Sequence, residues 1–137
     1  VPAFCRAALQ GYPLRLEGAE HVFDFTYIED VAAGTMQLVK HLHQQKPLPP
    51  PLHFTTGRGT TLQELAHMAC KLTNSSAPLI QANARTYDVS RFYGDATFTQ
   101  AILGWKPIFS LQDGLKKFLK ALKIALITPK SRPHENT

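Results

Sequence analysis

Several things are scarce or missing in this 137-residue sequence, and each absence narrows what the chain does. No stretch approaches the eighteen or so consecutive apolar residues of a membrane span, and no basic-then-apolar leader opens the chain, so a cytoplasmic protein with no membrane contact is expected. Cysteine is rare. Cys5 and Cys70 both sit in apolar, helix-like settings, which suits buried thiols in a reducing compartment. His67 and Cys70 share a helical face, but no second ligand pair at zinc-like spacing exists, and His41-Gln-His43 is a poor complement, so no metal is expected. No tyrosine precedes a lysine by four residues, because Tyr12, Tyr27, Tyr87 and Tyr93 all lack one there. Neither a Gly-x-Ser-x-Gly elbow nor a phosphate loop with its lysine occurs, and Gly57-Arg-Gly59 lacks the third glycine of a dinucleotide fingerprint. The chain therefore shows binding chemistry without an evident catalytic group.

What remains is a basic, moderately apolar chain of net charge +5 and 44% hydrophobic residues, enough for one core. Lys116, Lys117, Lys120 and Lys123 crowd one late helix without interleaved aromatics, a pattern of a solvated face and not of nucleic-acid binding. The chain opens on Val1 in mid-helix chemistry, which leads us to expect a piece of something longer.

Proline in the first turn and Gly11 at the end frame a helix from Pro2. An extended piece follows over Pro13-Leu-Arg-Leu-Glu17, then alternation predicts a strand over Val22 to Ile28, with Asp24 in need of a partner. Asp30 is expected to cap a helix to about Gln44 whose core stripe is Val31, Thr35, Leu38, Val39 and Leu42. A proline-rich connector leads to a strand over Leu52-His-Phe-Thr-Thr56 and a turn at Gly57. Thr61-Leu-Gln-Glu64 and Ser110-Leu-Gln-Asp113 are capping boxes that open two further helices, and Leu79 to Ala82 is a brief strand. Thr97 to Leu103 is a short helix ended at Gly104, and the polar residues from 127 onward form a disordered tail. The fold class is α/β, a few short strands packed with about five helices in one domain over residues 1–126.

The densest chemistry lies in Arg85-Thr-Tyr-Asp88-Val-Ser-Arg91-Phe-Tyr93-Gly-Asp95. Two guanidiniums, two carboxylates and three rings in eleven residues suit a phosphorylated, ring-bearing ligand. A guanidinium forks onto phosphate oxygens, and a carboxylate accepts from paired ribose hydroxyls.

Five segments, in order, give the chain a resemblance to a known family. They are Val1-Pro-Ala-Phe with Ala8-Leu-Gln-Gly-Tyr-Pro-Leu14, and Asp24-Phe-Thr-Tyr-Ile-Glu-Asp30-Val-Ala. His53-Phe-Thr-Thr-Gly57 with Thr61-Leu-Gln-Glu-Leu-Ala66 follows, then Arg85-Thr-Tyr-Asp88, then Leu103-Gly-Trp-Lys-Pro107 with Ser110-Leu-Gln-Asp-Gly-Leu115. Together they resemble the C-terminal, substrate-binding portion of a Rossmann-type extended short-chain dehydrogenase/reductase, in the NAD-dependent nucleotide-sugar epimerase/dehydratase branch. The resemblance implies a parent enzyme, an epimerase or dehydratase and homodimeric, that holds NAD (or NADP) in an N-terminal half with a Tyr-x-x-x-Lys pair. This chain would then be inactive alone. It also implies a nucleotide-sugar substrate, with Arg85 on the diphosphate, Asp88 on the ribose and Phe92 at a further contact.

Two positions depart from the family pattern. Phe23 stands, just before Asp24-Phe25, where a second phosphate-binding arginine is common, and Glu17 stands where an aromatic flanks the base. Losing one charge-assisted contact to a diphosphate costs about 1.5–3 kcal/mol. Sterol and steroid dehydrogenases of the same superfamily also carry an Asp-Phe-Thr-Tyr segment and are the alternative, as is a non-catalytic scaffold that kept only this half.

Overall fold

The computed structural model describes residues 1–127; of the tail expected from residue 127, Ile127 is instead the last residue of a helix, and the rest lies outside the described residues. The elements are α1 (Pro2–Gln10), β1 (Leu14–Glu17), β2 (Val22–Asp24), α2 (Ile28–His43), β3 (Gly59–Thr61), α3 (Leu62–Thr73), β4 (Leu79–Ala82), β5 (Arg91–Phe92), α4 (Thr97–Leu103) and α5 (Leu111–Ile127). Five helices and short strands make the α/β class that the sequence predicts.

The strands form two small sheets. β1 pairs in parallel with β4, Glu17 opposite Ala82, while β2 sits between antiparallel β3 and parallel β5, with Phe23 opposite Phe92. The core lies among α1, β1, α3 and α5, where Cys5, Leu14, Leu16, Leu65, Ala66, Leu115 and Leu119 are buried. It exists because each helix carries its apolar residues at three- and four-residue spacing, so that burying them removes a continuous stripe from water.

Local chemistry sets several boundaries as expected. α1 ends at Gly11, which takes a left-handed φ of 72°. Thr61 and Glu64 make the reciprocal capping box of α3, with Thr61 Oγ1 accepting from Glu64 N at 3.0 Å and Glu64 Oε2 accepting from Thr61 N at 2.8 Å. At α5 only half of the expected box forms. Ser110 Oγ accepts from Asp113 N at 3.1 Å, and its hydroxyl then donates to the Asp113 carboxylate at 2.6 Å, which leaves the Ser110 amide without that partner.

Four expectations are corrected. The strand predicted over Val22 to Ile28 stops at Asp24, because Tyr27 already serves as the extended residue that opens α2. Asp30 is not the cap of that helix. It lies in its first turn, 2% exposed, and its two carboxylate oxygens accept from the amides of Ile108 and Phe109 at 3.0 and 3.1 Å. Residues 52–56 are in no ladder, since no strand among the described residues runs beside them. The stripe predicted for α2 is only partly covered: Val31 and Leu38 are half-buried, whereas Thr35, Val39 and Leu42 are exposed.

The face of α2 that is covered carries Gly34. A Cβ there would collide with the Phe54 ring and come within 2.9 Å of Trp105 Nε1, so only glycine lets the rings seat against the helix. Trp105 is buried, packs edge-on to Phe54 with centroids 5.1 Å apart, and donates its indole N–H to the Asp30 carbonyl at 2.8 Å.

Candidate functional site

The ladder between β1 and β4 decides where the most reactive side chains meet. Glu17 is the last residue of β1 and lies opposite Ala82, the last of β4, so the chain leaving Ala82 brings Arg85 back over Glu17. Along β1 the side chains alternate. Leu14 and Leu16 enter the core, which turns Arg15 and Glu17 outward together.

The result is a four-residue cluster. Arg85 Nε lies 3.1 Å from Asp88 Oδ2 and 3.3 Å from Glu17 Oε2, while Glu17 Oε1 is 3.0 Å from Arg15 Nε. The guanidinium of Arg85 also stands 5.5 Å from the centre of the Tyr87 ring. The hydrogen bond to Asp88, then that to Tyr87, raises the Arg85 pKa above its usual value, so the group is a fixed cation. Arg85 and Arg15 are exposed, and Glu17 and Asp88 are half-buried. A cation of this kind can exchange its carboxylate partners for the oxyanion of a ligand at little cost, because exposed ion pairs contribute only about 0–1 kcal/mol.

Two of the aromatic candidates, Phe23 and Phe92, lie on the second sheet. Phe23 and Phe92 are neighbours across the β2–β5 ladder, and Phe23 contacts Phe25 with ring centres 6.3 Å apart. Phe92 is exposed, whereas Phe23 and Phe25 are half-buried. The structure thus gathers Glu17, Arg85 and Asp88 at one strand end. It places Phe23 and Phe92 on the second sheet, whereas Phe25, just past the end of β2, packs against the core and lines a groove beside α3. Sequence reasoning missed Arg15, whose signal was its position two residues before Glu17 on an alternating strand.

Asp24 has a different task. Its carboxylate accepts from Thr56 N at 2.9 Å, Thr56 Oγ1 at 2.7 Å and Gly57 N at 2.8 Å. Two of the amides that a phosphate-cradling turn at Gly57-Arg-Gly59 would offer are already used, Gly57 N by Asp24 and Arg58 N by Thr56 Oγ1 at 3.1 Å. With no glycine fingerprint in the sequence either, the residues of this chain do not fit a dinucleotide.

A cavity of about 920 Å³ lies elsewhere. It is an open groove between α3 and residues 107–112, with Phe25, Met68, Leu72 and Phe109 on its apolar side. It holds none of Glu17, Arg85 or Asp88. Several of its polar groups are committed: Glu64 to the Thr61 amide, His67 Nδ1 to the Gln63 carbonyl at 2.9 Å, and Thr56 to Asp24. Size alone does not make it the better candidate, because its polar groups do not converge as those around Arg85 do.

No protein-family model matches the chain. Among curated proteins it is 26% identical over 95 residues to a UDP-glucuronate 4-epimerase of Thermodesulfobacterium geofontis, an alignment covering 69% of this chain and 28% of that protein. Among solved structures it matches the UDP-glucose 4-epimerase of Thermotoga maritima, solved with UDP-glucose, at 27% identity and a TM-score of 0.81, covering 90% of this chain and 38% of that one. It matches MoeE5, solved with UDP-glucose and NAD, at 26% identity and a TM-score of 0.79, covering 90% and 40%. The Bordetella bronchiseptica enzyme WbmF, solved with NADH, gives 28% identity and a TM-score of 0.74, with 91% and 36% covered. The chain spans under a third of the curated relatives' length and about two fifths of these structures. The resemblance carried by the five sequence segments is borne out: what the chain matches is the C-terminal-type region of larger enzymes of the UDP-sugar 4-epimerase, NAD-dependent epimerase/dehydratase kind.

Proposed function

We propose that this chain is the nucleotide-sugar-binding part of an NAD-dependent sugar epimerase or dehydratase. The observation that supports the reading best is the Arg85–Asp88 pair at the end of the β1–β4 ladder, in a fold shared with enzymes solved with UDP-glucose. In this reading Arg85 holds the diphosphate, Asp88 accepts from the ribose hydroxyls, and Phe23 and Phe92 give an apolar border. NAD belongs to the rest of the parent enzyme, since no residue set among the described residues suits it. The chain supplies recognition and leaves the redox chemistry to residues outside it.

Titration calorimetry with UDP, and with UDP-, GDP- and dTDP-sugars, tests the assignment. Arg85→Ala is expected to weaken UDP at least about ten-fold, the loss of one charge-assisted contact. Equal affinity of both proteins for every nucleotide would remove Arg85 from the site. The chain by itself is expected to show no epimerase turnover with UDP-glucose and added NAD, because it has no Tyr-x-x-x-Lys pair. Measurable turnover would overturn that part of the reading.

A further inference from the structure

The way Glu17 is held says more about the ligand than Arg85 does alone. One carboxylate oxygen of Glu17 faces Arg15 Nε at 3.0 Å and the other faces Arg85 Nε at 3.3 Å. Two guanidiniums, one on β1 and one in the loop after β4, thus face one carboxylate, Arg15 through a hydrogen bond and Arg85 as an ion pair, its Nε–H being given to Asp88. A tetrahedral phosphate presents oxygens at similar spacing and with more charge, so the geometry that seats this carboxylate also suits a phosphate. Nothing about the fold demands Glu17 there. It is on the outward face of β1, the core side being served by Leu14 and Leu16. Arg85 keeps a second carboxylate, Asp88, that fixes its orientation when Glu17 leaves.

Resting on the nucleotide-binding reading above, we propose that Arg15 and Arg85 form a two-guanidinium clamp for a phosphate group of the ligand, with Glu17 as its built-in competitor. Glu17 occupies the clamp in the free protein and swings aside when the ligand's phosphate arrives. Its carboxylate then sits close to a like charge, which lowers affinity for every phosphate-bearing ligand. The site is tuned for a ligand bound weakly and released readily.

Calorimetry with UDP, inorganic pyrophosphate and uridine, on the full chain and three variants, tests the clamp. All three residues project from the protein's outward face, so circular dichroism should show each variant folded as the parent is. Glu17→Gln is expected to bind UDP about five- to ten-fold more tightly, as removal of one like charge near a solvated phosphate implies. Pyrophosphate should gain in the same direction, and uridine, which has no phosphate, should not change. Adding Arg15→Ala to Glu17→Gln should remove most of the gain. UDP affinity unchanged or weaker in Glu17→Gln, an equal gain for uridine, or no effect of Arg15→Ala in that background would each overturn the clamp. Arg85→Ala keeps the two levels apart: if it weakens UDP while the Glu17 series is flat, the clamp fails and the nucleotide reading stands. If it leaves UDP binding as it was, the nucleotide reading itself fails.

Discussion

Asp30 and Asp24 stand six residues apart in the same motif, and each ties down a different loop. Asp30 sits in the first turn of α2, where the helix dipole favours its charge, and turns both oxygens to the amides of Ile108 and Phe109. Asp24 does the same for Thr56 and Gly57. Neither carboxylate is free for a ligand, which leaves Asp88 and Glu17 as the carboxylates next to Arg85. Because Asp30 accepts with both oxygens, no neutral side chain replaces it: alanine orphans two amides, and asparagine turns a donor toward one of them. Asp30→Ala is expected to lower the unfolding free energy by about 1.5–3 kcal/mol, read from the urea midpoint at unchanged slope. Asp30→Asn should lose more than half as much. A variant as stable as the parent would mean that those loop amides find water instead.

At the scale of elements, α3 shows most directly how sequence specifies structure here. Thr61→Ala removes the hydroxyl that accepts from Glu64 N and is expected to cost about 1 kcal/mol, again by urea denaturation. Serine at the same position should restore nearly all of it. Such chemistry is local, so it was legible: the caps of α3, the stop of α1 at Gly11 and the span of α4 all follow from residues within four positions. What was not legible depended on distant partners. The donors to Asp30 are amides 78 and 79 residues away, and no window around Asp30 contains them. β5 is two residues long, too short for any periodicity, and it exists only because Val22 and Phe23 lie alongside. Residues 52–56 have a strand's composition, but a strand needs a neighbour, and among the described residues none is offered. The candidate site divides the same way. The Arg85–Asp88 pair is three residues apart and readable as a motif, whereas the bridge from Arg85 through Glu17 to Arg15 required the β1–β4 register.

The molecule exposes a run of large apolar side chains along one helix. Ile28 is 69% exposed, Met36 56% and Val39 52%, and with Leu42 they run along α2 at helical spacing. The pattern that predicted a buried stripe was sound as amphipathicity, yet no described element covers part of it. Phe98, Ile102 and Ile108 add to the exposed apolar area elsewhere. Exposed apolar surface of this kind drives association in water, since burying it is favourable at roughly 25 cal/mol per Å². The chain by itself is therefore expected to associate as its concentration rises, with its sedimentation coefficient climbing and the effect strengthening in sulfate. Met36→Lys with Val39→Lys should keep it monomeric without lowering its melting temperature, because neither side chain is part of the core. The same pair of substitutions leaves Arg15, Glu17, Arg85 and Asp88 untouched, so UDP affinity should not move. A double variant that still associates would place the adhesive surface off α2. One that melts far below the parent would show that the stripe is packed against something in the folded chain after all.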